Sequence, residues 1–192
     1  MIDLMAPRVG HFRFESGHHA DRWLEPDLLL QSPKALRLFA GELANRLKRH
    51  RFDVVCGPLT GGAFLAQMIA EECDVAFSFA ERFVLPPSDA LYPVSYRIPA
   101  ALRSGLRGTT VAIVNDVTSA GSAVRGTYED LGKCGARPVA LGTLIALGNW
   151  TSDFAAANEL ALESLEELPN NLWIPKDCPL CASRVPLEDL ST

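Results

Sequence analysis

The hydrophobic and polar positions along the chain divide it into predicted helices and strands. Apolar residues recur at helical spacing from position 36 to 47, and the Ser-Pro pair before them makes Ser32 the expected N-cap of this helix. Segments 63–72, 122–133 and 152–168 are also predicted helices. The predicted buried strands are the short apolar runs at 52–57, 75–80, 111–114 and 138–147.

The order of these elements predicts the fold class. Because strands alternate with helices, we expect an α/β fold in which a parallel sheet is flanked by helices. Ligands of such folds bind at the carboxyl ends of the strands, where the loops emerge. The proline-rich segment 83–99 has no clear periodicity, so we interpret it as a mobile connection.

Composition limits the size and the class of the protein. With 192 residues, 48% of them hydrophobic, the chain is predicted to form one domain with a substantial core. A net charge of −5 and a sequence pI near 5.4 argue against nucleic acid or a membrane surface as partners, since both favour basic clusters. The N-terminal residues contain no apolar run typical of a signal peptide. We therefore expect a cytoplasmic protein with a small-molecule ligand.

The most informative stretch is VAIVNDVTSAGSAVRGTYEDL at 111–131, where an apolar run meets Asn115 and Asp116 and then a turn of small residues. If the run is a central strand and a helix begins near Ser122, the backbone amides of the turn converge at a helix N-terminus, which favours a phosphate. Asp116 can accept hydrogen bonds from the vicinal hydroxyls of a ribose. Phosphate and ribose together indicate a phosphoribosyl group.

The same stretch also fits an ordinary turn between a strand and a helix, because Asn, Asp, Ser and Gly are common turn residues. On the residues alone, both interpretations stay open. Two other phosphate-binding classes are disfavoured, since the chain has neither the Gly-x-x-x-x-Gly-Lys-Ser/Thr pattern of a P-loop nor the Gly-x-Gly-x-x-Gly pattern of a dinucleotide fold.

Three segments, in the right order, resemble the type I phosphoribosyltransferases. VAIVNDVTSAGSAV at 111–124 is similar to that family's signature for phosphoribosylpyrophosphate (PRPP), a hydrophobic strand that ends in two acidic residues and a Thr/Ser-x-Gly-Thr/Ser loop. GHFRFESGHHADRW at 10–23 resembles the N-terminal segment of orotate phosphoribosyltransferases, and DVVCGPLTGGAFLA at 53–66 resembles their pyrophosphate-binding strand, loop and helix. The resemblance covers nearly the whole chain and implies a small N-terminal hood over the sheet.

The resemblance also implies a reaction and a set of site residues. In the family, a nitrogen of a base displaces pyrophosphate from the anomeric carbon of PRPP, with Mg²⁺ on the pyrophosphate and ribose oxygens. Asp116 and Asn115 would be the catalytic pair beside the ribose. The residues that would bind PRPP are Thr118, Ser119, Ala120, Gly121, Ser122 and Ala123 at the 5-phosphate and Leu59, Thr60, Gly61 and Gly62 at the pyrophosphate. Candidate contacts of the base are His19, Trp23, Ser119 and Asn149. For His19 and Trp23, a surface histidine and a core tryptophan are the alternatives.

The sequence departs from the family pattern at positions that bear on the substrate. Asn115 replaces one of the two acidic residues, which removes a negative charge beside a developing sugar cation. No lysine lies between Lys48 and Lys133, although orotate enzymes usually place lysines in the pyrophosphate loop and the mobile loop. They also place an arginine after the last core strand, where this chain has Gly148 and Asn149. We therefore expect poor specificity for orotate.

The cysteines are not typical of a disulfide framework. The chain has five, an odd number, and Cys56, Cys73 and Cys134 lie in apolar or helical contexts. Cys178 and Cys181 form a Cys-x-x-Cys pair, which is half of a tetrahedral zinc site and would need histidines or a partner chain to complete it. A packed or exposed thiol pair is the alternative. A redox pair is disfavoured, because the pair does not lie between a strand and a helix.

These features predict one phosphoribosyltransferase-like domain over residues 1–192, with a hood at 1–32, a core at 33–150, and a C-terminal helix and cysteine tail at 151–192. The expected function is transfer of a 5-phosphoribosyl group from PRPP to a nitrogenous base. The resemblance further implies a place in pyrimidine biosynthesis and a homodimer. Two other classes stay open. One is a PRPP- or nucleotide-binding sensor with weak or no catalysis, and the other is an interaction protein organised by the cysteine tail.

Overall fold

Ten strands form two sheets in the part of the chain that the structure describes. The structure is a computed structural model, and it describes residues 1–86 and 91–189. In chain order, the strands are β1 (Arg8–Arg13), β2 (His19–Trp23), β3 (Val54–Pro58), β4 (Ala76–Val84), β5 (Val94–Arg97), β6 (Thr110–Thr118), β7 (Arg137–Leu147), β8 (Ala161–Leu168), β9 (Leu172–Trp173) and β10 (Glu188–Asp189).

Seven α-helices are found in the described residues, together with short 3₁₀ turns. The helices are α1 (Asp27–Leu30), α2 (Pro33–Leu47), α3 (Gly61–Cys73), α4 (Ala100–Arg103), α5 (Ser122–Lys133), α6 (Trp150–Ala157) and α7 (Pro179–Ala182). None of them has the length and apolar character that a membrane-spanning helix needs.

The larger sheet has six strands in the order β5-β4-β3-β6-β7-β8. All neighbouring pairs run parallel except β5 with β4 at one edge. Alternate residues of the central strands point to opposite faces of the sheet and belong to two apolar clusters. Val55 and Val114 pack on the side of α2 and α3, whereas Cys56 and Ile113 pack on the side of α5 and α6. The predicted fold class, a parallel sheet flanked by helices, is confirmed.

The prediction of one helix over residues 152–168 is wrong. The helix α6 ends at Ala157, Glu159 has a left-handed backbone (φ 54°), and the residues that follow form the edge strand β8. Leucine, alanine and glutamate favour helices locally, but pairing with β7 and burial of Leu165 and Leu168 against the core outweigh that propensity. The C-terminal part of the chain therefore contributes a strand to the main sheet.

The other predicted elements differ from the structure mainly in their ends. Helix α2 begins after Ser32 as predicted, although the Ser32 side chain makes no capping hydrogen bond. The segment 83–99 contains the end of β4 and all of β5, so much of it is regular structure. The middle of that segment, residues 87–90, lies outside the described residues, and the prediction of mobility there stays a prediction.

The smaller sheet joins the two ends of the described chain. Its order is β10-β1-β2-β9, with β1 and β2 forming an antiparallel hairpin. We call this sheet the hood sheet. Its apolar contacts are few: Phe12, Phe14 and Ala20 are buried together with Ala120 of the main domain. The predicted hood at 1–32 is thus built together with C-terminal strands, which the sequence did not indicate.

Candidate active site

The candidate site lies at the carboxyl edge of the main sheet, where β6 ends between β3 and β7. Asn115 and Asp116 occupy this end of β6 and are both buried. The Asn115 amide donates a hydrogen bond to the carbonyl of Val117 (2.8 Å), and the backbone N–H of Val117 donates to Asp116 Oδ1 (2.7 Å). Both side chains are therefore held in place by the strand that carries them.

The second oxygen of the Asp116 carboxylate faces the turn between β3 and α3. A side chain at Gly61 would overlap Asp116 Oδ2, and a side chain at Gly62 would crowd Asn115 Oδ1 and Pro58. The two glycines thus allow the turn to approach the end of β6. Burial raises the pKa of Asp116 to about 6, because a charged carboxylate is poorly solvated there.

The turn between β6 and α5 consists of small residues that begin the helix. Gly121 has a left-handed backbone (φ 74°), and the ring of Trp150 covers its Cα so closely that a side chain there would overlap the ring. The first N–H groups of α5 have no partner within the helix, and they point toward this turn. The turn therefore has the backbone geometry of an anion site.

Two side chains from elsewhere hold this turn from outside. The Tyr92 hydroxyl donates a hydrogen bond to the carbonyl of Ala120 (3.1 Å), and the Asn170 amide donates to Ser119 Oγ (3.1 Å). Tyr92 comes from the segment before β5, and Asn170 from the segment between β8 and β9. The turn is thus fixed by contacts that cross the fold, which limits the rearrangement that a ligand would require.

A cavity of about 190 Å³ lies between the turn and the hood sheet. One wall is formed by the end of β6, the turn and the start of α5. The other wall is formed by Phe14, Glu15, Ser16 and Trp23, followed by Leu24 and Pro26. The Trp23 ring packs on Phe14 (5.5 Å between ring centroids) and so presents an aromatic face beside the cavity.

The cavity has little positive charge around it. Among the residues that the structure describes, the lining includes no Lys, Arg or His, and the single ionisable side chain is Glu15. Glu15 forms an ion pair with Arg82 (2.5 Å) and also accepts a hydrogen bond from the Tyr96 hydroxyl (3.0 Å). The cavity therefore suits a ligand whose enclosed part is uncharged.

Comparison with known proteins decides the family. Orotate phosphoribosyltransferase of Caldanaerobacter subterraneus subsp. tengcongensis is 32% identical over 181 residues, which is 93% of this chain and 86% of that protein. The Thermotoga maritima enzyme is 31% identical over 182 residues, which is 93% of this chain and 88% of that protein. The chain belongs to the orotate phosphoribosyltransferase family. No protein-family model matches it.

Solved structures agree with this family at the level of the fold. Mycobacterium tuberculosis orotate phosphoribosyltransferase superimposes with a TM-score of 0.64 at 15% identity, over 87% of this chain and 92% of that one. Adenine phosphoribosyltransferase of Thermoanaerobacter pseudethanolicus gives 0.62 at 16% identity, over 77% and 88%. The predicted resemblance to type I phosphoribosyltransferases is thus confirmed.

Most of the residues predicted for the phosphoribosyltransferase site come together at this edge. Asn115, Trp23 and the turn residues 118–123 line the cavity, and Asp116 lies next to the turn that contains Gly61 and Gly62. Leu59 and Thr60 precede these glycines, partly exposed, and are joined by a cis peptide bond. The hydroxyl of Thr118 points into the sheet, where it donates to Thr143 Oγ1 (3.3 Å).

Two of the predicted base contacts do not line this cavity. Asn149 lines a separate depression of about 500 Å³, together with Arg22. His19 lies on the hood sheet beside the predicted metal pair, and its Nδ1 is 3.3 Å from the sulfur of Cys181. Their roles as base contacts stay predictions.

Several residues of the site were not predicted from the sequence. Phe14, Glu15 and Ser16 belong to the segment that resembles the family's N-terminus, so that resemblance could have pointed to them. Tyr92 and Asn170 lie in irregular segments with no pattern of their own. Nothing in the local sequence indicates that they hold the turn.

Proposed function

We propose that the protein transfers the 5-phosphoribosyl group of PRPP to a nitrogenous base and releases pyrophosphate. One observation carries the proposal: a buried carboxylate and a glycine-containing helix N-terminus lie side by side at the carboxyl edge of the sheet, next to a cavity of about 190 Å³. Family membership supports the same reaction, since the two curated relatives are both orotate phosphoribosyltransferases.

The turn between β6 and α5 is the proposed site of the 5-phosphate. Its amides point outward at the positive end of a helix of twelve residues, and Ser119 and Ser122 add hydroxyl donors. Ala120, Gly121 and Ala123 are small enough for phosphate oxygens to approach the backbone. Since this binding uses backbone amides, it needs no lysine, which fits a chain without lysine in this region.

We expect Gly121→Ala to weaken both the fold and this phosphate site. The added methyl would overlap the Trp150 ring and place a non-glycine residue at φ 74°. The free energy of unfolding should fall by about 2 kcal/mol or more. Affinity for PRPP, measured by calorimetry where the variant is still folded, should also fall.

The matched control for this variant is Gly132→Ala on the same helix. A Cβ placed at Gly132 meets no described atom within 4 Å beyond its chain neighbours and the backbone of its own helix. We expect that change to be neutral or to stabilise the protein by up to about 1 kcal/mol. If urea unfolding and calorimetry gave the same values for Gly121→Ala as for the unchanged protein, the phosphate site would have to lie elsewhere.

Asp116 and Asn115 are the proposed contacts of the ribose. An ionised Asp116 can accept hydrogen bonds from the ribose hydroxyls and stabilise positive charge as the bond to pyrophosphate breaks. Asn115 can hold a hydroxyl through its carbonyl oxygen but adds no charge. The base nitrogen then forms the new bond to the anomeric carbon while pyrophosphate leaves with the electron pair of the broken bond.

The hood sheet contributes by enclosing the other wall of the cavity. Phe14, Trp23 and Leu24 are apolar, and they exclude water from the place where the sugar cation develops. Water at that point would hydrolyse PRPP without transfer to a base. The aromatic face of Trp23 is a suitable surface for stacking with a planar base.

Magnesium fits this site as part of the substrate complex. Mg²⁺ keeps several waters and usually binds substrate phosphates together with only one or two carboxylates. Within residues 1–86 and 91–189, the one cluster of three or more potential His, Cys, Asp or Glu ligands lies in the hood, away from Asp116. We therefore propose that Mg²⁺ arrives on the pyrophosphate and ribose oxygens, where it neutralises charge on the leaving group.

Other parts of the proposal rest on the sequence and on the relatives, with no support from the geometry of the site. These are a homodimer, a cytoplasmic location and a place in pyrimidine biosynthesis. A sensor that only binds PRPP is not favoured, because the relatives that match nearly the full chain are enzymes.

Pyrophosphate release tests the proposed reaction directly. Purified protein with PRPP, Mg²⁺ and each of a panel of bases should release pyrophosphate with at least one base, and the matching nucleoside monophosphate should form in equal amount. Omission of the base is the control for hydrolysis. Tight PRPP binding without release for any base would instead support the sensor.

A further inference from the structure

Two histidines and two cysteines meet on one face of the hood sheet. We call this group the His-Cys cluster; its members are His11, His19, Cys178 and Cys181. The four potential ligand atoms all lie within 4.8 Å of one another. The histidines belong to the β1–β2 hairpin. Cys178 directly precedes the short helix α7 and Cys181 lies within it, so the cluster connects residues more than 150 positions apart in the chain.

Four of the six distances between the ligand atoms of the cluster are close to the edges of a tetrahedral metal site. With metal–sulfur bonds of about 2.3 Å and metal–nitrogen bonds of about 2.0–2.1 Å, a tetrahedron has N–N edges of about 3.3 Å and N–S edges of about 3.5 Å. Here, His11 Nε2 lies 3.0 Å from His19 Nδ1 and 3.4 Å from the sulfur of Cys178. The sulfur of Cys181 lies 3.7 Å and 3.3 Å from the same two nitrogens.

The surroundings of His11 favour a metal ligand over a plain hydrogen-bonded histidine. Its Nδ1 lies 2.9 Å from the carbonyl of Val185, which can only accept a hydrogen bond, so Nδ1 carries the proton. In the neutral ring, Nε2 then has its lone pair directed into the cluster. A backbone carbonyl that fixes the outer nitrogen of a histidine is the usual outer contact of a zinc-bound imidazole.

The C-terminal tail has few other contacts that could hold it in place. From Pro175 to Asp189, Cys178 is the only buried residue among those described. The ion pairs of Arg8 with Glu188 and Arg13 with Asp189 are about half exposed, and such pairs contribute little. A small sheet with so little apolar contact needs a cross-link of another kind.

We propose that the His-Cys cluster binds one zinc ion, which fastens the C-terminal tail to the β1–β2 hairpin. Two thiolates and two imidazoles are a donor set that zinc prefers in closed structural sites. The ion is separate from the magnesium of the transfer reaction and does not touch the cavity. Its proposed role is to hold the hairpin that carries Phe14 and Trp23 in position.

Metal content of the full-length protein, purified without a histidine tag, tests the proposal independently of turnover. We expect about one zinc per chain by mass spectrometry after exhaustive dialysis, as a closed four-ligand site holds zinc tightly. Cobalt exchanged into the protein should show the intense visible bands of a tetrahedral site and a thiolate charge-transfer band. Absence of both zinc and the cobalt spectrum after reconstitution would overturn the proposal.

Matched cysteine variants locate the ion. Cys181→Ser removes the exposed ligand and should lower zinc affinity at least about 100-fold, whereas Cys73→Ser, at the end of α3, should keep the metal. Circular dichroism checks that both variants fold. Equal zinc content in both variants would place the metal elsewhere. Thiol titration of the unchanged, metal-free protein is a second check: if two fewer free thiols are counted than the five cysteines of the sequence, Cys178 and Cys181 form a disulfide instead.

Hydrogen exchange tests the proposed fastening role. Treatment with a chelator that prefers zinc to magnesium should speed amide exchange in β1 and β2 and leave β3 and β7 unchanged. If exchange in the hairpin does not respond to zinc removal, the ion does not hold the hood.

Discussion

Asp116→Asn is expected to lower kcat/KM by about 100- to 1,000-fold, because it removes the carboxylate that we propose lies beside the developing sugar cation. The same substitution should stabilise the fold at neutral pH. Burial raises the pKa of Asp116 to about 6, so its ionisation opposes folding. The loss of stability caused by this ionisation is absent below about pH 4, the ordinary pKa of an aspartate. It grows as pH rises from about 4 to 6 and reaches its full size above pH 6.

The expected gain for Asp116→Asn is about 3 kcal/mol of unfolding free energy at pH 8, falling to near zero at pH 4. The activity of the unchanged enzyme should also rise through pH 6, since kcat/KM reports ionisation in the free enzyme. Chemical unfolding at both pH values and a pH–rate profile measure these effects.

Asp53→Asn is the matched control at the other end of β6. Hydrogen bonds from the backbone and the hydroxyl of Thr110 lower the pKa of Asp53, so its ionised form favours folding above the ordinary pKa. That variant should lose stability at pH 8, opposite in sign to Asp116→Asn, and keep its turnover. If the gain in stability of Asp116→Asn over the unchanged protein is no larger at pH 8 than at pH 4, burial does not raise the pKa of Asp116.

Orotate is expected to be a poor acceptor, with kcat/KM at least about 1,000-fold below that of the best uncharged base. A carboxylate held in the cavity needs a fixed cation, yet the described part of the cavity lining has none and contains Glu15. The nearby arginines have other partners: Arg82 pairs with Glu15, and Arg125 stacks on Tyr92 and pairs with Glu129. Steady-state assays with orotate, uracil and purine bases side by side measure the difference.

The variant Glu15→Gln tests whether the negative charge of Glu15 disfavours orotate. It keeps the shape of the side chain, removes the negative charge and frees Arg82, so turnover of orotate should improve relative to an uncharged base. The opposite result, efficient orotate turnover by the unchanged enzyme, would contradict the prediction. If Arg22→Ala or Arg97→Ala then abolished orotate turnover, an arginine would reach the base from another part of the chain.

The main sheet was predictable because its signals are local. Strands such as β6 and β7 are apolar runs bounded by turn residues, and helix α5 has the bounds that its pattern indicates. Strand β8 was not predictable in the same way. Its Leu, Glu and Ala residues favour a helix, and its pairing with β7 is a contact that no pattern within residues 161–168 reveals.

The same distinction applies to the candidate site. Asp116 and Gly121 stand out because a carboxylate and a glycine turn follow an apolar strand within a few residues. The contacts of Tyr92 and Asn170 with the turn depend on segments that the fold brings from 28 and 51 positions away. Likewise, the pair Cys178 and Cys181 predicts half of a metal site, but only the fold shows which histidines lie beside it.

The parallel pairing of β1 with β10 has a consequence for the order in which the protein forms during synthesis. Arg13 lies opposite Asp189 in this pair, so the hood sheet cannot be completed until residue 189 has left the ribosome. The main sheet needs nothing beyond Leu168. Since domains fold progressively from the N-terminal side as they emerge, a nascent chain would carry a folded core with an open cavity for a time. The enclosure that protects PRPP from water is therefore the last feature to appear, and a chain interrupted before the tail would be folded but unable to shield its substrate.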